Sequence, residues 1–155
     1  MTTTIKQVNP SGSRVFMGTL TDNADIHTSL IEVAEKHEIQ TANFELLGGL
    51  REVEFRAFDF DSQQRKAPLH FKRALEIVAG HGTIAMLDNK PNVHLHLVVA
   101  YQDSESPNGI VVLAGHVTKA IAFAIEFTLT AYEGNPVHRS LDTGTGLMLW
   151  NLPKL

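Results

Sequence analysis

The run Ile121-Ala122-Phe123-Ala124-Ile125-Glu126-Phe127-Thr128-Leu129-Thr130 decides the fold class. Its large apolar residues fall on every second position. Successive side chains of a strand point to opposite faces, so one face is apolar and the other carries Ala, Glu and Thr. The two alanines leave the reverse face half apolar as well, and a sheet holding this strand has two sides to cover. The same period runs upstream. Residues 93–101 put Val93, Leu95, Leu97 and Val99 on one face; Leu75, Ile77 and Ala79 alternate; Val53, Phe55 and Ala57 alternate with Glu52, Glu54 and Arg56. Further strands are read at 14–21, 44–47, 83–87 and 110–113. Breaks are expected at Gly80-His81-Gly82 and Ala114-Gly115-His116, a bulge or tight bend at Gly48-Gly49, and a polar loop at 61–71.

One helix interrupts this pattern. Asp25 is placed as an N-cap, and Ile26, Leu30, Val33 and Ala34 recur at helical spacing while Glu32, Glu35 and Lys36 fall elsewhere on the wheel. It is predicted over roughly 26–38, with His27 and His37 on its surface. The reading is an α+β domain: a mainly antiparallel sheet of about seven strands with a single early amphipathic helix. Residues 1–12, polar and holding Pro10 and Gly12, read as a flexible arm, and 13–152 as one domain without a dividing linker.

At 155 residues and 43% apolar content the chain is long enough to bury a core without staples. It holds no Cys, which excludes a disulfide framework, a thiolate zinc site and a cysteine nucleophile. Thirteen Lys and Arg against 17 Asp and Glu give a net charge of −4, so no global positive field draws nucleic acid or an anionic membrane. No apolar stretch is long enough to span a bilayer, and the opening Met1-Thr2-Thr3-Thr4-Ile5-Lys6 lacks a signal peptide's apolar centre. A soluble, cytoplasmic protein is expected.

Eight histidines are the most informative feature. His94 and His96 lie two apart on a strand, so they share a face, with Cα atoms roughly 6.5–7 Å apart. If 93–101 and 110–113 pair as a hairpin, His116 returns beside them. Three imidazoles and no thiolate make an incomplete shell whose fourth position is open to water or a ligand oxygen. That donor set suits zinc at about 2.0–2.1 Å, and also iron, copper or nickel. The plainer alternative is a His pair lining a wet sheet face. His70, His81 and His138 are candidates for a fourth ligand that spacing does not choose between.

Other chemistry is thin. There is no Gly-x-Ser-x-Gly elbow and no Gly-rich phosphate cradle. Glu76 and Glu126 sit on strand faces where either a general base or a solvated carboxylate fits. Arg65-Lys66 with Lys72-Arg73 reads as a solvated basic loop beside Asp59 and Asp61.

The ordered series 16–39, Glu76-Ile77-Val78-Ala79-Gly80-His81-Gly82-Thr83-Ile84, Pro91-Asn92-Val93-His94-Leu95-His96, Ala114-Gly115-His116 and Arg139…Asp142…Thr145-Gly146-Leu147 resembles the plants-and-prokaryotes conserved (PPC) domain, over about residues 13–150. The resemblance implies an α+β fold assembling as a homotrimer, with a metal site in prokaryotic single-domain members whose ligands fall on His94, His96 and His116. The usual Gly-Gly-His is Ala114-Gly115-His116 here. No Arg-Gly-Arg-Pro AT-hook occurs, so a DNA-binding or transcription-associated role is an alternative resting on kinship. A metal-dependent small-molecule hydrolase or lyase is another. A cupin-type version of it would need a Glu where Ala100 and Tyr101 stand.

Overall fold

A computed structural model describes residues 3–153. The elements follow as β1 (Ser13–Leu20), α1 (Ile26–Lys36), β2 (Ala42–Phe55), β3 (Phe58–Asp59), β4 (Gln64–Arg65), β5 (Leu69–Leu87), β6 (Lys90–Gln102), β7 (Ile110–Tyr132), β8 (Arg139–Asp142) and β9 (Leu147–Trp150). All strand pairings between these elements are antiparallel. The α+β architecture expected from the alternation is what forms, with five long strands and two short hairpins.

The five long strands run in the order β1-β7-β2-β5-β6, and β6 pairs again with the first part of β7. The sheet therefore closes on itself, with β1 flanking the outside of β7. Its interior is filled by the alternating residues of each strand. Leu95 and Val99 are fully buried, with Leu97 at 2% exposure. Helix α1 lies against β6 and β7 and inserts Ile26, Leu30 and Ala34, each fully buried at successive i+4 positions. Its N-cap is the expected one: Asp25 Oδ1 accepts from the Thr28 N–H at 2.8 Å. It stops at Lys36, two residues early, because Glu38 takes φ +55° and the Ile39 N–H turns back to the Ala34 carbonyl.

Neither expected glycine break occurs. β5 runs unbroken through Gly80-His81-Gly82, and β7 through Ala114-Gly115-His116. Gly80 and Gly82 make room instead of bending the chain. A Cβ at Gly82 would lie 2.3 Å from the Phe44 ring and 2.4 Å from the His94 carbonyl oxygen. The expected bulge at Gly48 is present: its φ is +126°, and a Cβ would meet the Ala124 carbonyl oxygen.

The opening run itself is split. Gly49 pairs with Ala124 and Leu50 with Ala122, leaving Phe123 without a partner as a bulged residue. The inward phase consequently switches from Ala120 and Ala122 to Ile125, Phe127 and Leu129, all buried. Phe123 turns outward, 54% exposed beneath the Arg51 guanidinium. The polar stretch 61–71 contains β4 and the start of β5. Among the described residues no helix is long and apolar enough to cross a membrane.

Candidate metal centre

The sheet register builds the site. His96 on β6 is the direct partner of His116 on β7 and, on its other side, of His81 on β5; His94 is the partner of Thr83. Directly paired residues share a face, and with Val93, Leu95 and Leu97 turned inward, the histidines stand on the outer face. The hairpin return expected for His116 is thus made, and it sets His116 directly opposite His96. Gly115 beside it lies against the Phe55 ring of β2, where a Cβ would sit 3.4 Å from it.

His94, His96 and His116 converge. Their rings stand 5.0, 5.0 and 5.3 Å apart between centroids, and one nitrogen from each lies within 4.8 Å of the others. The Nε2 atoms of His94 and His96 are 3.2 Å apart. Two ligands at zinc distances and the tetrahedral angle stand about 3.3 Å from one another, so the pair already has the spacing an ion requires. The donors are neutral imidazoles, the form that binds metal. Burial, with Arg139 next and then His96, holds His94 down to about 4. Burial and then Arg65 hold His116 down to about 4, and burial lowers His96 as well. The residues therefore fit a divalent transition ion with room for a further ligand.

None of the other candidates joins them. His81 is exposed on the far side of His96, His70 pairs with Glu52 at 2.7 Å, and His138 bridges to Met86. Glu76 and Glu126 are exposed and line no part of the cleft that holds the three histidines. His37 packs on Phe16 as a helix-surface residue, but His27 does not stay on the surface. Its ring is half-buried against the Val117 backbone, and burial pushes its pKa down.

The cleft, about 630 Å³, has walls that spacing did not reveal. Arg56 and Arg65 come from the β2 end and the β3–β4 hairpin, and Arg139 from β8. Arg139 donates from Nη2 to Thr83 Oγ1 at 3.0 Å and from Nη1 to the Met148 carbonyl at 3.3 Å. Arg65, expected in a solvated loop, lies over the Phe58 ring at the cleft's edge.

Comparison with known proteins identifies the family and the fold. Residues 7–133 match the family model of the Plants and Prokaryotes Conserved (PCC) domain. A metal-containing protein of Archaeoglobus fulgidus is similar at TM-score 0.81 and 26% identity, over 97% of this chain and 99% of that one. A plant- and prokaryote-conserved protein of Pyrococcus horikoshii is similar at TM-score 0.79 and 24% identity, over 92% and 94%. A protein of Ralstonia eutropha provisionally named as DNA-binding shares the fold at TM-score 0.76 and 23% identity, over 95% of each chain. No match was found among curated proteins.

Proposed function

The chain belongs to the Plants and Prokaryotes Conserved (PCC) family, and from that premise we propose that it is a metal-binding protein. In this reading His94, His96 and His116 hold zinc or another divalent transition ion and leave one position for a guest oxygen. The observation that carries the reading is the convergence of three neutral imidazoles from two neighbouring strands, two of them at the nitrogen spacing of a shared ion. The similar A. fulgidus protein, described as metal-containing, supports it. Such an ion would supply Lewis acidity to an oxygen in the open position. The protein's own part is to hold the three rings rigid on two adjacent strands and to keep cations rather than carboxylates around them.

A homotrimer of single 13–152 domains, in the cytoplasm, belongs to the same proposal. Support for association comes from large apolar side chains on the outer sheet face: Met17 is 84% exposed, Val78 64% and Leu47 58%. Met17 and His81 lie on one cross-strand row of this face, linked through Thr128 and Glu45. A DNA-binding role has behind it the names of proteins that share the fold at under 25% identity, the R. eutropha protein among them, against a net charge of −4.

The test is elemental analysis of protein purified without added metal, alongside a His94→Ala/His96→Ala variant and light scattering. Stoichiometric transition metal in the parent, lost in a folded double variant, sustains the reading. Metal-free parent protein that also takes up no cobalt would end it. A trimeric mass that falls on Met17→Asp supports the assembly; a monomeric parent removes it.

A further inference from the structure

The cleft beside the three histidines is cationic in a way the rest of the protein is not. The arginines are Arg14, Arg51, Arg56, Arg65, Arg73 and Arg139. Outside the cleft, Arg14 is paired with Glu133 and Arg51 with Asp22, while Arg73 lies over the Tyr101 ring. Arg56, Arg65 and Arg139 all line the cleft, and none has a carboxylate partner among the described residues. No described Asp or Glu lines it at all. A chain of net negative charge has thus gathered three unpaired guanidiniums around one concavity. Arg139 Nε is buried there with no hydrogen-bond partner, although leaving such a donor unmade costs free energy.

The other walls are apolar. Phe58, Phe60, Leu147 and Leu149 also line the cleft, and Phe60 is 81% exposed. A volume near 630 Å³ suits a small molecule and not a duplex. Three neutral imidazoles would leave the charge of a divalent ion uncompensated, adding to the field of the arginines.

We propose that this cleft takes a small amphiphilic carboxylate, its anionic group between the guanidiniums of Arg65 and Arg139 and the open position of the metal, its apolar body against Phe58 and Leu149. The assignment rests on the metal-binding reading and names the class of molecule that site receives. Arginine is suited to this task, because its planar fork of N–H donors matches the two oxygens of a carboxylate. Ligand and ion share the site, so each raises the other's affinity by the same factor.

Hexanoate and its neutral counterpart hexanamide are the probes. Cobalt-loaded protein is titrated with each, following the visible spectrum and the heat of binding, in the parent and in Arg139→Gln and Arg65→Gln. Charge-assisted hydrogen bonds predict about tenfold or greater preference for hexanoate, and about tenfold loss in each variant with cobalt still bound. Arg65 is exposed on a short hairpin, so its variant decides the matter even where Arg139→Gln does not fold. Cobalt held with hexanoate and hexanamide binding alike, or hexanoate binding unchanged in a folded variant, overturns the carboxylate assignment and leaves the metal reading standing. Failure to hold cobalt at all removes both.

Discussion

His116 stands directly across the β6–β7 ladder from His96, with their ring centroids 5.3 Å apart. The pairing sets one imidazole on each strand, opposite one another across the ladder. The rings lie on the outer face, His96 exposed and His116 half-buried, so truncation removes little core packing.

His116→Ala is therefore expected to abolish stoichiometric metal while changing the metal-free protein's stability by no more than about 1 kcal/mol. Removing metal from the parent with a chelator is expected to lower its stability further. An ion present at about a hundred times its dissociation constant contributes about 2.7 kcal/mol, a shift of roughly 5–10 °C in Tm for a domain of this size. Calorimetry of both proteins, with and without chelator, checks this. A chelator-sensitive Tm in His116→Ala equal to that of the parent would contradict it.

Gly82→Ala strikes the fold and the site together. The added Cβ would lie 2.3 Å from Phe44 Cζ and 2.4 Å from the backbone oxygen of His94. A ring can rotate away, but the carbonyl moves only with β6. We expect a loss of about 1–3 kcal/mol in denaturant unfolding, together with weakened cobalt binding, because His94 is carried off its position. Gly144→Ala is the control. Its Cβ would find only a carboxylate oxygen of Asp142 at 3.5 Å, and its effect should stay within about 0.5 kcal/mol.

The bulge in β7 makes neighbouring phenylalanines unequal. Phe127 is 7% exposed, and Phe123, four residues earlier and in the same sequence phase, is 54% exposed under Arg51. Phe127→Ala should cost about 3–5 kcal/mol as a cavity. Phe123→Ala should cost no more than about 1 kcal/mol, for an exposed cation–π contact, in the isolated subunit. Equal losses in urea unfolding of the two variants would mean that the strand alternates without interruption.

That pair also marks where the sequence was legible and where it was not. The period-2 signal identified the strands, and Asp25 identified the helix start, because both are local properties of the chain. Phe123 could not be placed, since its outward turn depends on β2 pairing Gly49 with Ala124 and Leu50 with Ala122. Gly80, Gly82 and Gly115 read as interruptions for the same reason. Gly80 and Gly82 admit Leu46 and Phe44 from another strand, which a local reading does not see. The convergence of His94, His96 and His116 was legible because a two-residue spacing and a hairpin return are short-range geometry. Arg65 reads in the sequence as part of a solvated loop and Arg139 only within the family motif; neither is placed at the cleft, because separate hairpins far apart in sequence bring them there.

Glu52 sets the acid side of the stability profile. It is buried at 8% exposure, with its Oε1 2.5 Å from Lys119 Nζ and 2.7 Å from His70 Nε2. The Lys119 hydrogen bond, then that of His70, holds its pKa below the ordinary 4.5. A carboxyl whose folded pKa is depressed binds protons more readily when unfolded. Its contribution is thus fully present above about 4.5 and is lost as pH falls through the lower folded value. Glu52→Gln removes that titration. The variant should be less stable than the parent at neutral pH, because Lys119 keeps its charge without a partner. Between about pH 5 and pH 3 its Tm should fall less steeply, so that the two curves converge in acid. Thermal unfolding of both proteins across that range measures the convergence, and curves that stay parallel would show that Glu52 ionises alike in the folded and unfolded chain.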